Sequence, residues 1–403
     1  MRVNHRVRRA AAFGCTVAIA FLLAGCQEQY PNTTFEPNSE FGRQIDRLWS
    51  LMLYLGTGVF ILVEAILIYT IWRYRTREGA GEPAQHVHGN TTLEIAWTVI
   101  PAVILVIIAI PTVRTIFRTQ QNAPADGLQV QVIGHQWWWE FRYPQYGFVT
   151  ANELYLPKGR AVNFELTTVD VLHSFWVPQL GGKRDLITNR KNYLWYTPDS
   201  GMATTAWNGF CAEYCGDSHA NMKFRAFTVS PDEFESWAAH QKSQAAFGAR
   251  ATATDTSPPA RVAVSGYVFP REQMPDYAVP KTPLGPVTFA DGLTGDAARG
   301  MRTYSQSACI GCHRIAGNPM SQSPIGPDLT HVGSRTTIGA GLYPNTPRHL
   351  ARWIKNSKKM KPGSLMPPLG KDEIDPKTGK KAITATLTDQ QIADIVAYLM
   401  ELR

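Results

Sequence analysis

The stretch Cys211-Ala-Glu-Tyr-Cys-Gly-Asp-Ser-His-Ala-Asn-Met222 brings two thiols, an imidazole and a thioether into twelve residues. Soft sulfur ligands select copper or zinc over hard cations, and a thioether beside thiolates favours copper. A second imidazole is available from His173, which ends an apolar, β-branched run typical of a strand edge. The sequence therefore predicts a transition-metal site built from two segments of a β domain. A structural zinc site is the alternative, because two cysteines and two histidines also form a tetrahedral zinc set.

The spacing C-x-E-x-C-G-x-x-H-x-x-M in this stretch resembles, at every position, the binuclear copper (CuA) site of the cytochrome c oxidase subunit II family. The resemblance implies two bridging thiolates, one histidine for each copper and two weak axial ligands: Cys211 and Cys215, His173 and His219, Met222 and the backbone carbonyl of Glu213. It also implies a Mg²⁺ ion, bound through Glu213 at the boundary with subunit I.

The bulk properties of the chain limit the alternatives. With 403 residues it is too long for one ordinary domain. The formal net charge is +8, but Lys and Arg are scattered, so nucleic acid is not expected as a partner. All six cysteines can be assigned without a disulfide, because four lie in cofactor motifs and two, Cys15 and Cys26, lie in the N-terminal segment.

Residues 1–25 carry several arginines followed by an apolar run that is too short to span a bilayer, which is typical of a signal peptide. The segment Leu23-Ala-Gly-Cys26 resembles a bacterial lipobox, which implies a lipid anchor at Cys26. An ordinary signal peptide with an incidental cysteine is the alternative. We expect a protein of the bacterial plasma membrane, with its metal domains on the outer face.

Residues 26–119 contain two apolar segments, Leu48 to Trp72 and Ile95 to Val113. Each is near the length of about 20 residues that a helix needs to cross the hydrocarbon core, so a multi-pass transmembrane hairpin is predicted. Glu64 lies in the first span, where a carboxylate is either functional or protonated and hydrogen-bonded to a neighbouring helix.

Glu94 begins the second span in the segment Thr91-Thr-Leu-Glu-Ile-Ala-Trp97. This segment resembles the part of subunit II whose acidic residue lies at the mouth of a proton path into subunit I. A charge at a helix N-terminus, which the helix dipole favours, is the alternative interpretation.

Residues 120–240 contain short alternating runs separated by turn residues, which predict a Greek-key, cupredoxin-like β-sandwich. The stretch Gly134-His-Gln-Trp-Trp-Trp-Glu140 resembles the family's aromatic segment between copper and membrane, which assigns Trp137 to the exit of electrons toward heme a. A capping box, Ser230-Pro-Asp-Glu233, predicts a helix that closes the domain.

Residues 241–291 lose periodicity and are rich in Ala, Thr, Ser and Pro, which indicates a linker, with its latter part available to wrap the next domain. A flexible linker would keep the next domain close to the copper site. Strong electrostatic docking between the two domains would then be unnecessary.

Residues 292–403 contain the heme c attachment motif Cys309-Ile-Gly-Cys312-His313, in which two thiols bond the heme and the histidine binds its iron. A helical pattern precedes the motif, and a capping box at Thr388-Asp-Gln-Gln391 starts a final amphipathic helix. This order resembles an all-α class I cytochrome c.

The resemblance implies that His313 and Met366 are the axial ligands and that the Pro327 carbonyl orients His313. Met360 is a rival to Met366. Four lysines near this ligand loop are interpreted either as a basic docking rim or as a solvated face: Lys355, Lys358, Lys359 and Lys361.

Together these resemblances imply a multidomain membrane protein, subunit II of a caa3-type oxidase. Electrons would pass from an external cytochrome c, or a quinol:cytochrome c oxidoreductase complex, through heme c and CuA to heme a of subunit I. There O2 would be reduced to water, coupled to proton translocation, so enzymatic activity belongs to the assembly. Subunits I and III and membrane lipid are the implied partners.

Three other kinds of protein share part of this pattern. A quinol oxidase subunit II has the same fold but lacks the copper ligands. A nitrous oxide reductase carries CuA but needs a large propeller domain. A copper-carrying assembly lipoprotein has no need of a covalent heme.

Overall fold

The computed structural model describes residues 32–75, 89–121, 126–245 and 266–403, together with Gly14 and Tyr30. Residues 34–403 form one compact unit, to which the following description applies. The predicted signal peptide and its proposed lipidation site, Cys26, lie outside the described residues.

Two long helices come first, α1 (Glu40–Tyr74) and α2 (Thr91–Gln120). Each begins at a side-chain cap, with Ser39 accepting from the Gly42 amide and Asn90 accepting from the Leu93 amide. Their most apolar windows have mean hydropathies of 2.3 and 2.5, and none of that length is buried within the chain. Apolar side chains exposed over such a length suit a helix that crosses a membrane.

The first turns of α1 pack on the β domain, which explains why this helix begins before the predicted span. Phe41 is buried between Trp195 and Tyr196, with ring centroids 5.4 and 5.9 Å away. Arg43 pairs with Asp199 at 2.5 Å. The helix is therefore joined rigidly to the domain that follows.

The β domain is a sandwich of two five-stranded sheets, with strand orders β3-β2-β1-β5-β8 and β4-β10-β9-β6-β7. The pairs β1/β5 and β4/β10 are parallel, and the other pairs are antiparallel. This arrangement confirms the predicted cupredoxin-like sandwich. The strands are β1 (Leu128–His135), β2 (Trp138–Tyr143), β3 (Phe148–Ala151), β4 (Glu153–Pro157), β5 (Val162–Thr168), β6 (His173–Trp176), β7 (Arg184–Leu186), β8 (Asn192–Tyr196), β9 (Thr205–Cys211) and β10 (Lys223–Val229).

Aromatic side chains fill the space between the two sheets, because alternate residues of each strand point inward. Phe175 and Phe224 stack at 5.0 Å, and Trp139 meets Phe224 edge-on at 5.4 Å. All three are fully buried. Helix α3 (Pro231–Lys242) starts at the predicted capping box and closes one side of the sandwich.

Residues 266–291, which we call the strap, are the latter part of the expected linker, and they are packed. Phe269 and Ala278 are buried in the core of the β domain, and Val287 is buried in the core of the C-terminal domain. Burying a side chain as large as Phe269 stabilises the fold by about 1.5–3 kcal/mol. The strap therefore holds both domains instead of acting as a free tether.

The C-terminal domain is helical, as predicted for a cytochrome c. Its helices are α4 (Ala297–Ser305), α5 (Pro347–Met360) and α6 (Asp389–Glu401), and two short ladders pair β11 (Thr337–Ile338) with β12 (Tyr343–Pro344) and β13 (Ile374–Asp375) with β14 (Lys380–Lys381). Helix α6 begins at the predicted capping box of Thr388 and Gln391.

Helices α4 and α6 cross at Gly300, where a Cβ atom would overlap the carbonyl oxygen of Asp394. Only glycine permits this close approach. Beside the crossing, Arg299 binds the Asp394 carboxylate through two hydrogen bonds of 2.9 Å.

The β domain and the C-terminal domain share a buried interface. The Glu153 carboxylate accepts hydrogen bonds from the Thr336 amide at 2.7 Å and its hydroxyl at 2.6 Å. The buried Arg225 guanidinium donates to the carbonyls of Ala278 in the strap and Gly341 in the C-terminal domain. Both charged groups would lose partners if the domains separated, which is costly for buried charges. The two domains are therefore docked through buried polar contacts, and whether transfer needs this docking stays a prediction.

Candidate metal centres

Strand pairing brings the first metal-binding residues together. His173 begins β6 and Cys211 ends β9, and these strands pair antiparallel with Phe175 opposite Cys211. The loop from Cys211 to Met222 then returns the chain to β10. One histidine and the sulfur-rich loop therefore meet at one end of the sandwich.

The predicted ligand atoms lie close together in an arrangement with two equivalent halves. The Sγ atoms of Cys211 and Cys215 are 3.8 Å apart. Cys211 Sγ is 3.8 Å from His173 Nδ1, and Cys215 Sγ is 3.6 Å from His219 Nδ1. Because a disulfide measures about 2.05 Å, the two thiols are separate. Each sulfur has its own histidine, which suits two metal ions that share both sulfurs.

Two weaker donors complete this set. The Met222 sulfur is 3.9 Å from Cys215 Sγ, and the Glu213 carbonyl oxygen is 3.2 Å from Cys211 Sγ. Met222 is buried, with 1% of its surface exposed, so its thioether is directed at the thiols rather than at solvent. A tetrahedral zinc ion would leave the thioether unused, whereas a copper pair has a role for it.

The electrostatics of the thiol pair favour metal binding. A hydrogen bond from the Cys215 thiol, and then the His173 ring, lower the pKa of Cys211 to about 3. The adjacent Cys211 thiolate raises the pKa of Cys215. One sulfur is therefore ready to bind a metal, and binding through the second would release a proton.

Asp170 orients one of these histidines, and the sequence analysis missed it. Its Oδ1 atom lies 2.8 Å from His173 Nε2, which leaves Nδ1 directed at Cys211. Carboxylates commonly fix the tautomer of a metal-binding histidine in this way. The acidic residue three positions before His173 was the available signal.

Trp137 lies between the thiol loop and the C-terminal domain. Its indole Nε1 donates to the Cys215 carbonyl at 2.9 Å. On its other side, a Cβ atom at Gly363 would lie 2.5 and 2.6 Å from the Trp137 ring. The sequence assigns Trp137 to the electron exit. The ring faces the C-terminal domain, from which electrons are expected to arrive, and its assignment to the electron exit stays a prediction.

The heme attachment motif folds as a compact turn. The 3₁₀ turn Ala308–Gly311 carries Cys309, and the His313 amide donates to the Cys309 carbonyl at 3.0 Å. Cys309 and Cys312 are both free thiols. The turn therefore presents two thiols and a histidine together, as covalent heme attachment requires.

His313 is oriented as predicted. Its Nδ1 lies 2.8 Å from the Pro327 carbonyl, which leaves Nε2 free for iron. Burial lowers the pKa of His313, so the ring is neutral near pH 7. Met366 lies half-buried against the domain core, whereas its rival Met360 is 5% exposed and packs within that core.

The two membrane-helix carboxylates lie apart from these sites. Glu94 is exposed in the first turn of α2, and Glu64 is half-buried in α1. The position of Glu94 is compatible with both a proton-uptake role and a favourable charge at a helix N-terminus.

The four lysines interpreted as a docking rim or a solvated face fall into two groups. Three pair within their own domain: Lys355 with Asp389 at 2.7 Å, Lys358 with Asp375 at 2.6 Å and Lys359 with Glu373 at 2.7 Å. The fourth, Lys361, is 3% exposed and points into the interface with the β domain.

Three family descriptions match the chain: "Cytochrome C oxidase subunit II, transmembrane domain" over residues 36–115, "Cytochrome C oxidase subunit II, periplasmic domain" over residues 148–229, and "Cytochrome c" over residues 297–403. The matches follow the order of the membrane helices, the β domain and the helical domain.

Among curated proteins, cytochrome c oxidase subunit 2 of Alkalihalophilus pseudofirmus is 32% identical over 354 residues, covering 87% of this chain and 89% of the relative. The same subunit of Bacillus sp. (strain PS3) is 31% identical over 404 residues, covering 96% and 95%. A crystal structure of the periplasmic domain of subunit II of cytochrome oxidase of Bradyrhizobium japonicum is 30% identical and covers 30% of this chain and 97% of that chain, with a TM-score of 0.28.

Proposed function

We propose, for a chain that belongs to the cytochrome c oxidase subunit II family, that its fused heme domain is the immediate electron donor to a binuclear copper centre in its β domain. Family membership makes the chain an oxidoreductase subunit and a membrane protein with an electron-transfer role. The cytochrome c domain implies heme c, and the β domain implies a copper centre. The order of transfer within the chain is the proposal.

The ligands proposed for copper are the residues of the thiol loop and the facing strand: His173, Cys211, the Glu213 carbonyl, Cys215, His219 and Met222. The pairing of each thiol with its own histidine supports this choice. Cys211 and Cys215 would hold both coppers, and the copper pair would supply one-electron chemistry with little change in geometry between redox states. Asp170 holds the His173 ring in the orientation that this requires. The Glu213 carboxylate is proposed to bind Mg²⁺.

The heme is proposed to be held by the thiols of Cys309 and Cys312 and by His313 and Met366. The hydrogen bond between His313 and the Pro327 carbonyl supports His313 as the proximal ligand. Met366 follows Gly363, which lies on the Trp137 ring, so with Met366 as its ligand the heme would be held close to the β domain.

The observation that carries the proposed order is the position of Trp137. Its ring is hydrogen-bonded to the backbone of Cys215 and covered by Gly363, three residues before Met366. With both groups bound, heme c would supply one electron and the copper pair would accept it. Trp137 then lies on the input side of copper.

The output side is proposed to be the exposed surface next to the copper ligands. Tyr214 is 75% exposed beside Glu213, and Leu172 is 37% exposed beside His173. Exposed apolar side chains that adjoin metal ligands suit a partner surface. We propose that subunit I covers this surface and that its heme a receives the electron, and that subunit III is a further partner in the assembly.

The remaining steps are proposed from family membership. The assembly is a caa3-type oxidase that reduces O2 to water with proton translocation, and Glu94 takes up protons for subunit I. An external cytochrome c or a quinol:cytochrome c oxidoreductase complex reduces the heme domain. Both metal domains lie on the outer face of a bacterial plasma membrane, with a lipid anchor at Cys26.

The test is to reduce the heme by a light pulse in the purified oxidase and to follow heme oxidation and copper reduction together. We expect both signals to change with the same first-order rate, independent of protein concentration. Copper that an external donor reduces before the heme responds would contradict the proposed order.

A further inference from the structure

Lys361 differs from the other lysines around the Met366 loop because, in the part of the chain that the structure describes, it forms no ion pair with a carboxylate. Its Nζ atom donates to the backbone carbonyl of Trp137 at 2.6 Å and to that of Gly339 at 3.1 Å. The first acceptor belongs to the β domain and the second to the heme domain. The ammonium group therefore bridges the two domains.

Burying the Lys361 ammonium group costs free energy, which is not expected for a lysine that makes contacts only within its own domain. Lys361 is 3% exposed, and burial lowers its pKa to about 7. A buried ammonium loses its hydration, and two neutral carbonyls replace only part of it. A lysine at this position would ordinarily extend its charge into water. Its burial is consistent with a role at the interface itself.

The two residues after Lys361 also contact the copper loop. The Pro362 carbonyl accepts a hydrogen bond from the Ser218 hydroxyl, and Ser218 precedes the predicted ligand His219. Gly363 has a φ of +77°, and a Cβ there would lie 2.5 Å from the Trp137 ring and 3.1 Å from Asp217 Cβ. Three consecutive residues of the Met366 loop, Lys361 to Gly363, therefore contact the copper loop or Trp137 beside it.

We propose that Lys361 is a positioning residue that pins the Met366 loop to Trp137 and so sets the approach of the heme domain to the copper loop. The proposal deepens the proposed function and rests on it. Lys361 itself carries no electron. It acts through the backbone of Trp137 on one side and through the loop that ends in Met366 on the other.

The test uses the full chain in the purified oxidase and compares Lys361→Met with Lys359→Met. Both variants remove one lysine charge from the same helix end, but Lys359 pairs with Glu373 in its own domain. Two quantities are measured: hydrogen exchange of the backbone amides in residues 215–223, and the rate of electron transfer from heme to copper after pulsed reduction.

We expect Lys361→Met to increase exchange in residues 215–223 and to slow transfer about tenfold or more, since small displacements of reacting groups have large effects on rate. The heme absorption spectrum and the copper EPR spectrum should stay unchanged. Lys359→Met should alter neither quantity. If Lys361→Met does not retain heme, Gly363→Ala makes the same test, because its methyl group would be forced against the Trp137 ring.

Unchanged exchange in Lys361→Met would overturn the proposal, as would faster exchange without slower transfer. An equal effect of Lys359→Met would also overturn it, because a general loss of charge would then explain the result. If the unmodified oxidase shows no transfer from heme to copper, the proposed function fails. The exchange comparison still decides whether Lys361 holds the loop.

Discussion

The Trp137 indole donates a 2.9 Å hydrogen bond to the carbonyl oxygen of Cys215. A single aromatic ring therefore connects the backbone of a proposed copper ligand with the surface on which the heme domain lies. Gln136 donates to the same carbonyl at 2.8 Å, so this contact is held from two neighbouring side chains. The copper loop therefore fixes the position of the Trp137 ring.

The thiol pair should bind two copper ions per chain. Reconstituted protein should contain two coppers and show an EPR signal of one unpaired electron shared by both. Cys215→Ser should abolish the shared signal, because one bridge is lost, whereas Tyr214→Phe at the exposed neighbouring position should keep it. Metal analysis and EPR decide this, and one tightly bound zinc per chain without the signal would contradict it.

Trp137→Leu should slow electron transfer from heme to copper about tenfold or more, because the ring that fills the contact is lost. Copper and heme spectra should remain, since the side chain of Trp137 is not a ligand. Trp138→Leu is the matched control, because Trp138 stacks on His135 at 4.1 Å instead of contacting Cys215. Pulsed reduction measures both rates. A larger effect at Trp138 would place the path elsewhere.

Glu94→Gln should slow steady-state oxygen consumption while leaving the rate of copper reduction unchanged, because the substitution removes a proton acceptor and no electron carrier. Asn90, which caps the same helix, should tolerate Asn90→Ser with unchanged turnover. Oxygen uptake and pulsed reduction are the two measurements. Unaltered turnover in Glu94→Gln would contradict a role in proton uptake and would favour the alternative, a charge that stabilises the helix N-terminus.

Gly300→Val should destabilise the heme domain by about 3 kcal/mol or more, because the added side chain must displace the backbone of Asp394. Gly292→Ala is the control, since a Cβ at Gly292 meets open space. The midpoint of thermal unfolding of the heme domain, followed by circular dichroism, measures the effect. Equal midpoints for the two variants would show that helices α4 and α6 can separate without cost.

Stability should fall as the pH drops below 6.5, because His240 is buried against His331 with ring centroids 4.4 Å apart. Burial, and then the nearby His331, lower the pKa of His240 from 6.5 to about 4. As the pH falls, His240 is protonated in the unfolded chain before it is protonated in the folded protein. The free energy of unfolding therefore decreases between pH 6.5 and 4. At about 1.4 kcal/mol per pKa unit, the loss from His240 alone is about 3 kcal/mol. His240→Leu should flatten this part of the pH profile of the unfolding midpoint, and an unchanged profile would contradict the assignment.

The local features of this chain could be predicted from its sequence because their signals lie within a few residues. The copper loop spans Cys211 to Met222, and the capping boxes at Ser230 and Thr388 start the expected helices. Hydropathy located the membrane helices but not their ends. Helix α1 continues back to Glu40 because Phe41 packs on the β domain, a contact that a hydropathy window does not detect.

The relation between the two metal domains could not be predicted, because no local pattern encodes the docking of separate domains. Three adjacent tryptophans indicate an aromatic path, but only the position of the heme domain shows which side Trp137 faces. Lys361 resembles its three neighbouring lysines in sequence and differs from them only in what surrounds it. The contacts of the strap could not be predicted for a similar reason, because isolated side chains such as Phe269 and Val287 show no periodic pattern.

The cover that Gly363 forms over Trp137 also determines what a visiting redox protein can reach. Trp137 is 9% exposed, so the heme domain already covers the ring that a soluble cytochrome would contact on the β domain. With the proposed order of transfer, such a cytochrome would have to bind the exposed surface of the heme domain instead. Recognition of different donors can then change by mutation of that outer surface while the contact at Trp137 stays the same. In a subunit without a fused heme domain, one surface patch would have to recognise the donor and also provide the contact at Trp137.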